Sequence, residues 1–256
     1  MDEILSRFEF AKALVLKAGS FLCTHIEERR FVKVKQTNDY VTQADVECEK
    51  ILVGSLSEEF PSDSFLGEEG GSISKDGSTF RWIIDPIDGT VNFMHAMPLF
   101  SISVALEHKG ELVAGIVYIP VFDELFTAIK GHGSFLNGKS IHVTEEKDPK
   151  RSLALLVPPH RHHEWMDEYM EKFRAIIMDV SDHRSLGSAA ISLCYVSSGR
   201  CAMYYEYGLH IYDIAAGLVI LIEAGGEYTL EKQKDEQIII SAAAKHFMPF
   251  LKEHTK

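Results

Sequence analysis

Asp85 and Asp88 stand three positions apart around Pro86, directly behind the apolar run Trp82-Ile83-Ile84, and Gly89 and Thr90 follow at once. An apolar run of this kind reads as a buried strand, and the proline is expected to stop its ladder. Both carboxylates then emerge at a strand end, where the chain must turn. A turn there can aim two carboxylates and an intervening carbonyl at one point. Oxygen donors of that kind suit Mg²⁺, Mn²⁺ or Ca²⁺ rather than zinc. Gly89 and Thr90 are placed to start a helix whose free N–H groups face an anion. Metal and phosphate would meet at one spot. Taken alone, Asp-Pro and Asp-Gly are ordinary turn dipeptides, so the reading depends on the rest of the chain.

Three further acidic blocks support it. Gly67-Glu68-Glu69-Gly70 ends a second short apolar stretch, Phe65-Leu66; Asp39-Tyr40-Val41-Thr42-Gln43-Ala44-Asp45 lies upstream, and Ile211-Tyr212-Asp213-Ile214-Ala215-Ala216-Gly217 lies far downstream. Together with Trp82 to Thr90, these blocks resemble, in the right order, the inositol monophosphatase family of metal-dependent phosphate-ester hydrolases. The resemblance runs from the first helix to about Gly226. It implies an α+β fold, a layered α-β-α-β-α sandwich of the sugar-phosphatase type. The implied metal ligands are Glu68, Asp85, the carbonyl of Ile87, Asp88 and Asp213. They would hold two or three Mg²⁺ ions, with Mn²⁺ as a substitute. Asp85 would bridge two metals, Glu68 would share the first, and Asp88 and Asp213 would hold the second. Thr90 and Asp45 match the pair that orients the attacking water. Gly89, Thr90, Gly187, Ser188, Ala189 and Glu206 match the substrate side. The family also implies lithium sensitivity and a homodimer.

Bland roles stand beside these. Thr42-x-x-Asp45 has the spacing of a capping box. Ser188 suits a plain N-cap, and Asp213 an ordinary acidic first turn. Glu206 could be a strand-end surface residue, but a polyol donates many hydrogen bonds, so a carboxylate there favours sugars and cyclitols. The acidic cluster without metal is expected to repel itself, which raises some of its pKa values. Tyr212 stands where the family usually has Trp.

The elements that must position these groups are legible in outline. Residues 2 to about 28, through Ile26, read as a long amphipathic helix, and a second helix runs from about Thr42 to Glu59, stopping before Pro61. Strands are expected at Phe80–Asp85, Ser101–Glu107, Glu111–Ile119 and Glu124–Lys130, with a hairpin signal at Asn137-Gly138. The charged stretch Glu145 to Arg151 reads as a boundary. Residues 1–148 form an N-terminal half carrying most of the metal ligands, and 149–256 a half that completes the site, in one compact unit. In the second half strand Ser152–Val157 precedes helix His163–Ile176, helix Ser188–Ser197 precedes strand Cys201–Glu206, and helix Asp213–Glu223 precedes strands near Glu227–Leu230 and Gln237–Ser241. The small residues Ala215, Ala216 and Gly217 would allow close helix packing behind the metals. The stretch from Glu227 to Gln237 lacks the family's Gly-containing turn.

Composition narrows the function. The chain has 256 residues with 46% hydrophobic content, enough for a sizeable core. Its 26 basic and 38 acidic side chains give −12, which argues against nucleic-acid binding. A small phosphate ester remains compatible, because bound cations invert the local charge. The four cysteines form no Cys-x-x-Cys pair and fit a reduced, cytoplasmic protein. No signal peptide is evident after Met1-Asp2-Glu3, and no apolar run is long enough for a membrane partner. His160, His162 and His163 beside Arg161 read as a solvated loop, and His95 is assigned no role. The leading expectation is hydrolysis of myo-inositol monophosphate. Fructose 1,6-bisphosphate, histidinol phosphate and adenosine 3′,5′-bisphosphate are alternatives within the superfamily. A regulatory protein bound to the transcription machinery is the alternative of another class.

Overall fold

The computed structural model describes residues 1–24, 31–36 and 39–256. Helix α1 (Asp2–Thr24) buries Phe8, Ala11, Val15, Ala18 and Leu22 along one stripe, the spacing that makes a helix amphipathic. The expected continuation through Ile26 lies outside the described residues. Strands β1 (Phe31–Gln36) and β2 (Asp39–Thr42) pair antiparallel and lead into α2 (Gln43–Glu59). Strands β3 (Ser64–Gly67), β4 (Gly71–Ile73) and β5 (Phe80–Asp88) follow, and then the single-turn helix α3 (Thr90–Met94). Strands β6 (Ser101–His108), β7 (Glu111–Ile119), β8 (Glu124–Ile129), β9 (Ser134–Leu136) and β10 (Lys139–Ile141) complete a sheet of order β10-β9-β8-β7-β6-β5-β3-β4. Its pairings are antiparallel apart from β3 with β5.

Alternation along β5 and β6 explains the layering. Trp82, Ile84, Ile102 and Val104 pack against α1 and α2. Ile83 and Ala105 point the other way, as the two-residue period of a strand requires. A sheet covered on both faces needs continuous apolar runs, hence Trp82-Ile83-Ile84.

The second half supplies the cover. Its elements are β11 (Leu153–Val157), α4 (Met166–Ile177), β12 (Asp182–Arg184), α5 (Ala189–Ser197), β13 (Met203–Leu209), α6 (Ile211–Glu223), β14 (Gly226–Lys232), β15 (Ile238–Ala244) and α7 (Met248–His254). The strands form a mixed sheet of order β12-β11-β13-β15-β14. Helices α5 and α6 lie between the sheets. Ile191, Cys194, Ala216 and Ile220 pack on the first sheet, and Leu193, Val196, Leu218 and Leu221 on the second. Tyr169 and Ile176 of α4 and Leu251 of α7 cover the outer face. The result is an α-β-α-β-α sandwich. Small residues let α6 sink onto the first sheet. A Cβ on Gly115 of β7 would lie 2.3 Å from the carbonyl oxygen of Ala216, and one on Gly217 would lie 2.6 Å from Leu193.

Several boundaries differ from expectation. Pro86 does not end the ladder, because β5 re-pairs at Asp88 with Ser101 after an irregularity. Strand β13 runs on past Glu206 to Leu209, and α6 begins two residues before Asp213. The hairpin joining β14 to β15 turns without glycine by placing Glu236 at φ 60°. Among the described residues no helix is long and apolar enough to cross a membrane.

Candidate metal centre and phosphate pocket

The irregularity in β5 is what brings the two aspartates together. On a regular strand, residues three apart point to opposite faces. Here Asp85 pairs with Ser103 and Asp88 with Ser101, so β5 spends one more residue than β6 between the same two rungs. That bulge turns Asp88 back to the side of Asp85. The turn is held locally: Ile87 N donates to Asp85 Oδ1 at 3.0 Å, and Thr90 Oγ1 donates to the Ile87 carbonyl at 3.0 Å. The buried thiol of Cys48 in α2 faces the Pro86 carbonyl at 3.5 Å.

Asp213, in the first turn of α6, joins them. Its Oδ2 accepts from His210 N at 2.5 Å. One carboxylate oxygen from each of Asp85, Asp88 and Asp213 lies within 4.8 Å of the others, a grouping that could hold a metal ion. Glu68 hydrogen-bonds Asp85 through its side chain, and its backbone N–H reaches Ile84 O at 3.2 Å.

One supporting residue was missed in the sequence. Glu49 of α2 is buried and accepts from Glu69 N at 2.9 Å and from Gly70 N, so it grips the turn that carries Glu68. It lies four residues after Asp45 on the same inward face, and its helical phase was a usable signal.

Burial pushes the Asp85 and Asp213 carboxyls well above the usual carboxylate range, and the surrounding negative charges push further. Asp88 rises less, to about 6. Burial raises it, but Ser188 Oγ, Ala190 N at 2.8 Å and Ala189 N at 3.2 Å all donate to it. Hydrogen bonds to the charged form oppose desolvation. The first N–H groups of α5 are thus engaged by Asp88. A cluster of buried hard-oxygen donors that repel one another fits a hard divalent cation.

That charge pattern predicts a pH-dependent metal effect. A carboxyl with a raised folded-state pKa holds more protons folded than unfolded, so stability falls as pH rises through the window between the two values. For Asp45 and Asp88 the window runs from 3.8 to about 6, and for Glu206 from 4.5 to about 8. A cation at the cluster favours the charged forms. Thermal scans should show Mg²⁺ raising the midpoint by several degrees at about pH 8 and far less at about pH 5. An equal rise at both would contradict the assignment.

Asp45 sits beside this cluster, fully buried. Its Oδ2 accepts from Thr42 N at 2.8 Å and from Thr42 Oγ1, completing a capping box, while its Oδ1 accepts from Thr90 Oγ1 at 3.1 Å. The cap and the contact with Thr90 therefore coexist. Burial lifts its pKa to about 6 against the pull of the Thr42 hydrogen bonds.

The substrate-side residues share one cavity of about 190 Å³ with Glu68, Asp85, Asp88 and Asp213: Gly89, Thr90, Gly187, Ser188, Ala189 and Glu206 all line it, as does Ile87. Gly89 caps α3 at φ 94°, and a Cβ there would press on the Leu99 and Gly187 carbonyls at 3.0 and 3.1 Å. Asn92, assigned no role from the sequence pattern, ties α3 to the Gly187 loop by donating to Leu99 O and Leu186 O, each at 2.7 Å. Ser188 caps α5 through Ile191 N at 3.2 Å. Glu206 accepts from Tyr204 Oη, and burial pushes its carboxyl up to about 8. Tyr212 stacks on His210 with centroids 5.2 Å apart.

The loop after β11 borders the cavity: Pro158, Pro159, His160, Arg161 and His162 line it, while the His160 and Arg161 side chains stay exposed to solvent. His163 is exposed and outside the cavity, and so is His95.

The layered fold with an acid-lined cavity at the strand ends defines a sugar-phosphatase type of sandwich. The chain belongs to the inositol monophosphatase family, whose model matches residues 5–253. It is 40% identical to an inositol-1-monophosphatase of Mesorhizobium japonicum over 213 residues, covering 82% of this chain and 80% of that one. It is 37% identical to the Nus factor SuhB of Pasteurella multocida over 212 residues, covering 82% and 79%. The crystal structure of the extragenic suppressor protein suhB from Bartonella henselae superposes with a TM-score of 0.90 at 35% identity, covering 99% of this chain and 98% of that one.

Proposed function

We propose that this protein hydrolyses phosphate monoesters of polyols, myo-inositol monophosphate foremost, with two or three Mg²⁺ ions, or Mn²⁺ in their place. The observation that carries the reading is the convergence of Asp85, Asp88 and Asp213 within 4.8 Å in a cavity shared with Glu206. Glu68, the Ile87 carbonyl and these three aspartates would hold the metals. Bound there, the ions would neutralise phosphoryl oxygens and lower the pKa of a water. Asp45 and Thr90 would take the proton from that water and fix its direction, since their hydrogen bond already aligns the two groups. Gly89, Gly187, Ser188 and Ala189 would shape the phosphate side without side chains large enough to block it. Glu206 would accept hydrogen bonds from polyol hydroxyls. A cytoplasmic homodimer belongs to the same reading and is supported by the family alone.

Glu206 provides the substrate test. Losing a hydrogen-bond acceptor for a polyol should cost about 1–3 kcal/mol. Glu206→Ala should therefore lower kcat/KM for inositol 1-phosphate roughly ten- to hundredfold, while an aryl phosphate without hydroxyls should be nearly unaffected. Glu206→Gln keeps an acceptor for Tyr204 and separates a packing defect from lost recognition. Equal losses on both substrates would mean that Glu206 reads no polyol.

The Nus-factor relative supports a second reading, a regulatory role at the transcription machinery. The −12 charge favours a protein contact over a nucleic-acid one. A pull-down whose partners resist nuclease treatment would support it, and partners lost to nuclease would count against it.

A further inference from the structure

Strand β13 divides its tyrosines between two faces, since side chains two apart on a strand point the same way. Tyr205 and Tyr207 pack with Tyr169 of α4. Their hydroxyls meet at 3.0 Å, and Tyr207 Oη donates to Glu168 at 3.0 Å. Tyr204 and Glu206 take the other face, where the Tyr204 hydroxyl donates to Glu206 Oε2. The pair sits on a rigid support. Tyr204 lies opposite Leu155 and Ala242, and Glu206 opposite Val157 and Ile240, so both strand neighbours hold it. Beyond Glu206 the ladder becomes irregular and Gly208 takes φ 79°. The carboxylate therefore stands on the last regular rung before the strand borders the cavity.

Tyr204 itself is fully buried behind the cavity and does not line it. It packs with Leu155, Leu193 and Leu218, with Ala189, which opens α5, and with Ile214, which follows Asp213. Burial pushes its phenol well above the usual tyrosine range, so the hydroxyl keeps its proton and acts as a donor. A phenylalanine would fill the same space without burying a hydroxyl, a group that is costly to bury unless paired. The hydroxyl's acceptor is the carboxylate proposed to read the substrate.

We infer that Tyr204 is a positioning residue for substrate choice: from the core it fixes the Glu206 carboxylate in the orientation that accepts hydrogen bonds from a polyol. The inference rests on the proposed role of Glu206. A glutamate carboxylate turns about several side-chain bonds, and ordering it only when the ligand arrives costs affinity. A tether made beforehand removes that cost. The phenol occupies one acceptor position on Oε2, and a carboxylate offers about four, so the rest stay available to hydroxyls.

The test is a double-mutant cycle of Tyr204→Phe, Glu206→Ala and the double variant. Affinities for inositol 1-phosphate and for phenyl phosphate are measured by calorimetry with Ca²⁺ in place of Mg²⁺, and phosphate release is measured separately with Mg²⁺. The quantity read is the ratio of the two affinities, in which general damage to the fold or the metal centre cancels. Tyr204→Phe should lower the polyol-to-aryl ratio roughly tenfold, the scale of one hydrogen bond to a charged group. In the Glu206→Ala background the same change should move the ratio less than about twofold, because no carboxylate remains to be positioned. In steady-state assays the loss on inositol 1-phosphate should fall mainly on KM. A ratio unchanged by Tyr204→Phe would overturn the inference and leave Glu206 reading the polyol unaided. An equal fall in both backgrounds would also overturn it, marking a packing effect. A ratio unmoved by Glu206→Ala would overturn the role of Glu206 and this inference with it. Absent phosphate release with the binding cycle intact would count against hydrolysis alone.

Discussion

The Asp88→Asn protein is expected to fold and to lose roughly 10²- to 10⁴-fold in kcat/KM for inositol 1-phosphate with Mg²⁺, the range for several kcal/mol of lost metal-mediated stabilisation. The fold should survive because the amide keeps much of what the carboxylate does locally. With its oxygen in the Oδ2 position the amide can still accept from both Ala190 N and the Ser188 hydroxyl. One N–H, that of Ala189 at 3.2 Å, then faces a donor, a modest local cost. Against this, the substitution removes one negative charge from a buried cluster in which Glu68, Asp85 and Asp213 repel it. The thermal midpoint without metal should thus stay close to wild type, while the rise on adding Mg²⁺ shrinks. A large drop in the metal-free midpoint would instead make Asp88 a structural cap for α5.

The second large effect is expected at Asp45. Asparagine there is nearly isosteric. Its carbonyl can accept from Thr42 N, and its NH₂ can donate to Thr90 Oγ1 while that hydroxyl donates to Ile87 O. The capping box and the turn survive, but no group remains that can take a proton. A lost general base costs about 10²- to 10⁴-fold in kcat. Asp45→Asn should show that loss in kcat with KM little changed, because Asp45 is proposed to act on the water and not on the polyol. A rise in KM with kcat intact would place Asp45 in substrate binding or in holding the loop.

The chemistry of this chain was legible where residue type and spacing carry it. Asp85 and Asp88 flank a proline after a buried run, and their shared face follows once one extra residue is allowed into β5. The sequence pattern did not show that extra residue, because a proline at a bulge and a proline at a strand end look alike. Helix α1 was legible from its periodicity, whereas α6, buried over Ile214 to Leu221, shows no stripe and was read from Asp213 and the small residues after it. Short elements such as β4, β9 and β12, three residues each, were not, since three residues carry no period. The packing of His162 beside the cavity was not legible for a related reason. Polar residues beside two prolines look the same facing solvent or a polar cavity, and only the left-handed Gly208, far along the chain, shows where His162 packs. Asn92 and Glu49 were missed because each acts on backbone groups brought near by the fold, which no local pattern encodes.

The most direct test of the account is phosphate release from inositol 1-phosphate by the wild type and the Asp88→Asn protein side by side, with Mg²⁺ present and again after chelation. The account predicts steady release by the wild type that stops on chelation and returns with added Mg²⁺, and release by Asp88→Asn that is low throughout. Undiminished release by the chelated wild type, or by Asp88→Asn, would contradict a metal centre at Asp85, Asp88 and Asp213.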